Sequence, residues 1–213
     1  MNKGYKAKLL VVGVACVAVI FALILNVPTS QAGIQGSKHD FSETTWATNK
    51  ICDPCHTPHD SVTGGAPLWN HSNSTYAATS YTMYNNTNGT QDSAVPSAVS
   101  SESMACLSCH DGTMNIDAFA GAAGSTKIGA AYEVGNGNTL AADHPISFSY
   151  TPALAVADGG LYNPTGVAAV AALLVGDRVE CGSCHDVHNG TGLTNLLTVT
   201  MVDSALCLTC HDK

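Results

Sequence analysis

Large aromatic side chains are scarce in this chain: Phe, Trp and Tyr make up 6% of its 213 residues. Small and polar residues take their place, so bulky side chains alone do not fill a core, and some other buried apolar mass is required. Cations are scarce as well, with 8 Lys and Arg against 16 Asp and Glu. Three of the eight, Lys3, Lys6 and Lys8, stand together at the start, so the remainder carries 5 basic side chains. That balance excludes nucleic acid as a partner, because binding phosphates needs clustered cations. Sustained hydrophobic periodicity is missing too. Turn formers crowd residues 85–89, 121–124 and 158–160, which predicts a chain that is mostly loop.

The one long apolar run, residues 9–25, follows the three lysines and leads to Ser30, Gln31 and Ala32. This is the pattern of a secretory signal peptide, so residues 1–32 are expected to be removed and 33–213 to form the mature protein. The run is long enough to span a bilayer if left uncleaved, which is the competing reading. Cys16 does not mark a lipoprotein site, because the apolar run continues past it and Gly13 suits the third position before it poorly. The expected location is outside the cytoplasm, at the extracellular or outer surface or else in the periplasm.

Cysteine is what the chain has in excess. Eight of nine fall into the pattern C-x-x-C-H: Cys52, Cys55 and His56; Cys106, Cys109 and His110; Cys181, Cys184 and His185; Cys207, Cys210 and His211. Two thiols at this spacing can add to the two vinyl groups of one porphyrin edge, and the next residue then reaches the iron. A disulfide framework gives no reason for a histidine after every second cysteine. Zinc sites pair C-x-x-C units without that histidine. The motifs predict four covalently bound haems of the c type.

Each iron then needs a sixth ligand or an open face. Five histidines remain, His39, His59, His71, His144 and His188, whereas Met83, Met104, Met114 and Met201 share no position relative to the motifs. An internal repeat selects among them. His39, then Cys52 to His59, then Cys106 to Asp111 matches His144, then Cys181 to His188, then Cys207 to Asp212. The mature chain thus reads as two dihaem repeats, about 33–143 and 144–213, with His39, His59, His144 and His188 as distal ligands and His71 as surplus. His59 and His188 lie three positions after a proximal histidine, too close to pass around their own porphyrin but able to reach a neighbouring one. His39 follows Gly33 and Gly36 near the expected new N terminus, and such an arm could also ligate a haem in a second subunit.

Short helices are expected at each attachment site and over 167–175, and short strands at 195–200 or 178–180. With about 45 residues per haem, the haems themselves form the core and an unfilled chain is not expected to fold. The expected fold is therefore irregular loops, short helices and few strands wrapped around a haem stack.

Further residues carry a resemblance: Ser37-Lys38-His39-Asp40, Thr57-Pro58-His59, Ala66-Pro67-Leu68-Trp69, His144-Pro145, Glu180 before Cys181, and Ser204-Ala205-Leu206 before Cys207. With the motifs, they resemble the doubled-CXXCH multihaem cytochromes, and within these the OmcE-type tetrahaem cytochromes of metal-reducing bacteria. That resemblance implies a continuous haem stack, histidine on both faces of each iron, and a homopolymer forming an extracellular filament. Its partners would be other redox proteins or extracellular electron acceptors. A soluble periplasmic shuttle is the alternative. A redox enzyme acting on a substrate would need an exchangeable iron site, and four spare histidines close all four, so an electron carrier is expected rather than an enzyme.

Overall fold

Turns and bends make up most of the backbone of the computed structural model, which describes residues 33–63, 66–85, 91–135 and 137–213. The expected leader, 1–32, lies outside the described residues, as do residues 86–89 of the expected turn. All described residues belong to one compact unit.

Regular structure comes in short pieces. Helix α1, Ser101–His110, buries Ser103, Ala105, Leu107 and Ser108, with Glu102 in its first turn, where an acidic side chain is favourable to the helix dipole. Helix α2, Pro152–Asp158, starts where Thr151 Oγ1 accepts a hydrogen bond from the Leu154 N–H at 3.2 Å and Pro152 occupies the first turn. Gly159 ends it at φ 70°, a left-handed conformation that costs glycine little. Helix α3, Ala168–Leu173, falls inside the stretch expected to be helical. Helices α4, Cys181–Cys184, and α5, Ala205–Cys210, carry the third and fourth attachment motifs.

The first motif departs from expectation: it makes one turn, not a helix. The N–H groups of Cys55 and His56 both donate to the Cys52 carbonyl, at 3.1 and 2.8 Å, and the turn stops there. Pro58 disfavours helical geometry at Thr57, whose N–H donates instead to the Leu68 carbonyl at 2.9 Å.

Strand β2, Arg178–Val179, lies where a strand was expected, but its partner is β1, Phe148–Ser149, in antiparallel register with Phe148 opposite Val179. Residues 195–200 form no strand. A 3-10 turn, Thr194–Leu196, occupies that stretch, with Asn195 and Leu196 both at positive φ and so out of pleated geometry.

Two small apolar clusters sit in the unit. One gathers Tyr81, Met83, Val99, Leu107 and Leu140; the other Phe148, Tyr150, Leu154, Val170 and Val179. Between the halves, the Glu180 carboxylate is 2% exposed and accepts from Ser103 Oγ at 2.5 Å and Ser147 Oγ at 2.9 Å. Arg178 pairs with it at 3.4 Å. Because Ser103 lies on α1 and Glu180 caps α4, this group fixes the second attachment helix against the third.

Candidate haem site

The first and third motifs are built alike, although the segments that support them share little sequence. After Cys55 and His56 the Thr57 N–H donates to the Leu68 carbonyl, and Asn70 N–H returns to the Cys55 carbonyl at 2.9 Å. After Cys184 and His185 the Asp186 N–H donates to the Leu196 carbonyl, and Thr198 N–H returns to the Cys184 carbonyl at 3.0 Å. Leu68 and Leu196 both sit at positive φ, 55° and 57°, where a side chain costs about 1–2 kcal/mol. The same residue position takes that strain in each half, and the carbonyl ahead of it meets an imidazole. His56 Nδ1 donates to the Pro67 carbonyl at 2.9 Å and His185 Nδ1 to the Asn195 carbonyl at 3.0 Å.

The second and fourth motifs lie at helix ends. His110 Nδ1 donates to the Tyr132 carbonyl at 2.7 Å. In His144, Nδ1 donates to the Pro145 carbonyl at 2.9 Å. In all four of these rings a backbone carbonyl takes up Nδ1, fixing the tautomer that leaves Nε2 with its lone pair outward. That is how a metal-ligating histidine is normally held. Sequence reasoning missed these carbonyls, since nothing in a residue's identity marks its carbonyl as an acceptor.

Six of the histidines form three pairs. Ring centres stand 6.1 Å apart in His39 and His110, 6.3 Å in His56 and His188, and 6.5 Å in His144 and His211. Two imidazoles sharing one metal stand about 6 Å apart, from roughly 2 Å per metal–nitrogen bond and about 1 Å from each nitrogen to its ring centre. The residues present therefore fit haem iron between each pair. Every pair joins one attachment histidine to one of the spare ones.

The surplus residue His71 is in none of these three pairs, although its Nε2 lies 3.5 Å from Cys109 Sγ of the second motif. Its ring is 1% exposed, with Nδ1 at 2.8 Å from the Ser72 carbonyl and Nε2 at 2.9 Å from the Asn115 carbonyl. A neutral ring carries one N–H, so it donates to one of these two carbonyls. His59 stands apart on the surface, its side chain 81% exposed and Nδ1 at 3.1 Å from Asp60 Oδ2. His185 is in none of these three pairs, but it lies close enough to His39 to act on it electrostatically.

His39 is not on a free arm. Asn189 Nδ2 donates to the Gly33 carbonyl at 2.8 Å, which holds the segment onto the loop after His185. Burial pushes His39 down to about pKa 4, with His110 and His185 adding to the effect and a hydrogen bond to the Val187 backbone opposing it. A ring so held is neutral at pH 7, the form that ligates.

All eight cysteines of the motifs are free thiols. Burial raises Cys55 to about 11 and Cys109 to about 12. Consecutive motifs bring their sulfurs close enough to act on one another: Cys55 on Cys109, Cys106 on Cys181, and Cys207 on Cys184. The Cys106 thiol is raised first by its hydrogen bond with Cys181 and then by burial. A groove of about 750 Å³ lies between 92–100, β1 and α2, and none of the motif residues lines it.

Residues 174–213 match the family described as Doubled CXXCH motif. The matched segment holds the third and fourth motifs and His188. The match supports a multihaem c-type cytochrome with covalently bound haem c acting in electron transfer, and the loop-rich fold with short helices and two strands is consistent with that class. No curated protein matches the chain.

Proposed function

We propose that the chain is a tetrahaem electron carrier, exported after loss of residues 1–32, that passes electrons along a stack of four c-type haems. The observation that carries this reading is the three imidazole pairs, each with one attachment histidine and a spacing suited to one metal. Haem supplies a one-electron couple when bound, and the protein's work is to hold and space it. Each pair of cysteines would anchor one porphyrin edge. His56 and His188 would hold the first iron, His110 and His39 the second, and His211 and His144 the fourth. The third would be held by His185. Closing both faces of an iron favours electron transfer over substrate chemistry, and the sulfur contacts between consecutive motifs favour an unbroken order from first to fourth.

By its resemblance to extracellular filament cytochromes, the protein is read as a homopolymer at or beyond the outer surface, with redox proteins or extracellular acceptors as partners. A soluble periplasmic carrier is the alternative location. The test is the mass of the mature protein with its ferric spectrum. Four haems and a low-spin spectrum in the assembled state are expected. A different haem count, or rapid carbon monoxide binding by assembled material, overturns the reading.

A further inference from the structure

Two carboxyl groups lie where the second attachment helix meets the third, and neither is used to hold a haem. Ser103 Oγ donates to Glu180 at 2.5 Å and accepts from the Cys181 N–H at 3.2 Å, while Cys106 Sγ donates to the Glu102 carbonyl at 3.8 Å. Across the same junction, a Cβ at Gly182 would come within 2.6 Å of Glu102 Oε1. The second and third attachment thiols meet here too, joined by a hydrogen bond between Cys106 and Cys181. We infer that the Glu180 carboxylate sets the potentials of the second and third haems together, lowering both. The inference rests on the haem reading above.

The reason lies in where each charge sits. The Glu180 side chain is 1% exposed and that of its partner Arg178 is 40% exposed. The two approach at 3.4 Å, yet Glu180 Oε1 and Arg178 Nε are both buried without a hydrogen bond. The guanidinium turns its other nitrogens to the Ser147 carbonyl and the Ser149 hydroxyl. Water screens the outer side of the cation, whereas the carboxylate faces the interior, where a charge acts at low effective dielectric. Its field reaches α1: burial raises the Glu102 carboxyl, and Glu180 raises it further. Oxidation of a haem iron adds one positive charge, so a nearby anion favours the ferric form and lowers the potential. Asp111 is the other carboxylate buried among the described residues, and it follows a single motif, the second. Glu180 instead stands between two, bonded through Ser103 to the helix of the second and leading by its own backbone into the helix of the third. One charge shared by two neighbouring irons offsets the repulsion between them when both are ferric. Because the shift is common to both, it adds no uphill step to the crossing from the first half to the second.

The test uses the mature, haem-loaded full chain. Haem mass and ferric spectra are recorded first, followed by a spectroelectrochemical titration at neutral pH resolved into four one-electron components. Glu180→Gln keeps an acceptor for both serine hydroxyls and removes the charge. It should retain the wild-type haem count and spin state while two of the four components move to higher potential. Their reduced-to-oxidised ratio at a fixed potential should rise about tenfold, which is about 59 mV for a one-electron couple. Glu180→Asp should return both toward wild type. Arg178→Gln should move the same two components the other way, a reversal of sign that loosened packing does not produce. A Glu180→Gln titration that overlays wild type, or that moves one component alone, overturns the inference. So does a shift of the same sign in both variants. If Glu180→Gln fails to mature with four haems, Arg178→Gln alone decides: two components lowered support the inference, and any other pattern overturns it. A wild-type haem count other than four sinks the underlying reading instead, and the mass measurement separates the two failures.

Discussion

The imidazoles of His56 and His188 lie with their planes within 14° of parallel and their centres 6.3 Å apart, joining the first attachment motif to the loop after the third. Because this pair closes inside one chain, its loss does not depend on assembly. Replacing His188 with Ala should open one iron at any protein concentration, giving a high-spin component of about a quarter of the haem signal. Ferric spectra across a dilution series check this, and a fully low-spin variant would remove His188 from the ligand set.

The motif cysteines should determine haem number. Mature protein is expected to carry four haems by mass, and replacing both Cys106 and Cys109 with Ala should remove the second from the covalent count. Met83 is buried in the first apolar cluster, with Tyr81, Val99, Leu107 and Leu140. Its replacement should leave the count at four while lowering stability by about 2–5 kcal/mol, as for other buried large-to-small changes.

His71 should matter for stability and not for spin state. Its ring lies between the Ser72 and Asn115 carbonyls in a buried site. Replacement by Ala leaves a cavity and one carbonyl without its donor, at a cost of about 2–4 kcal/mol. A lower denaturant midpoint with an unchanged low-spin spectrum is the expected result.

Glu180 should hold the two halves together. Replacing it with Ala leaves the Ser103 and Ser147 hydroxyl protons without their acceptor and removes the ion pair with Arg178, which keeps its bond to the Ser149 hydroxyl; this should destabilise the fold by about 1–3 kcal/mol. Chemical denaturation of the haem-loaded variant measures it. A loss under about 1 kcal/mol would show that the halves are fixed by other contacts.

Much of the site was legible in the sequence, because the attachment pattern is set by local covalent spacing and the repeat by residue order. Which histidine faces which was not. His39 with His110 and His144 with His211 follow the repeat, but the crossing of His188 to His56 depends on how the halves pack, and no periodicity encodes that. Exposure separated His71 from the rest: in the sequence it is one more histidine near a tryptophan, whereas in the fold two carbonyls enclose it. The missing helix at the first motif could have been read from Pro54 and Pro58. The missing strand at 195–200 could not, since positive φ at a leucine runs against its residue preference and is imposed by the turn that supports His185.

The pairing of His56 with His188 also sets an order in time. A chain made N terminus first at about 5–20 residues per second presents His188 roughly 7–26 s after His56. His39 precedes His110 and His144 precedes His211, so those partners are already waiting when their attachment motifs emerge. The first centre begins with one face bare and gains its partner only when the third motif has emerged. If haem were attached at the first motif before the third had followed, the open face of that iron would be accessible to small ligands until His188 arrived.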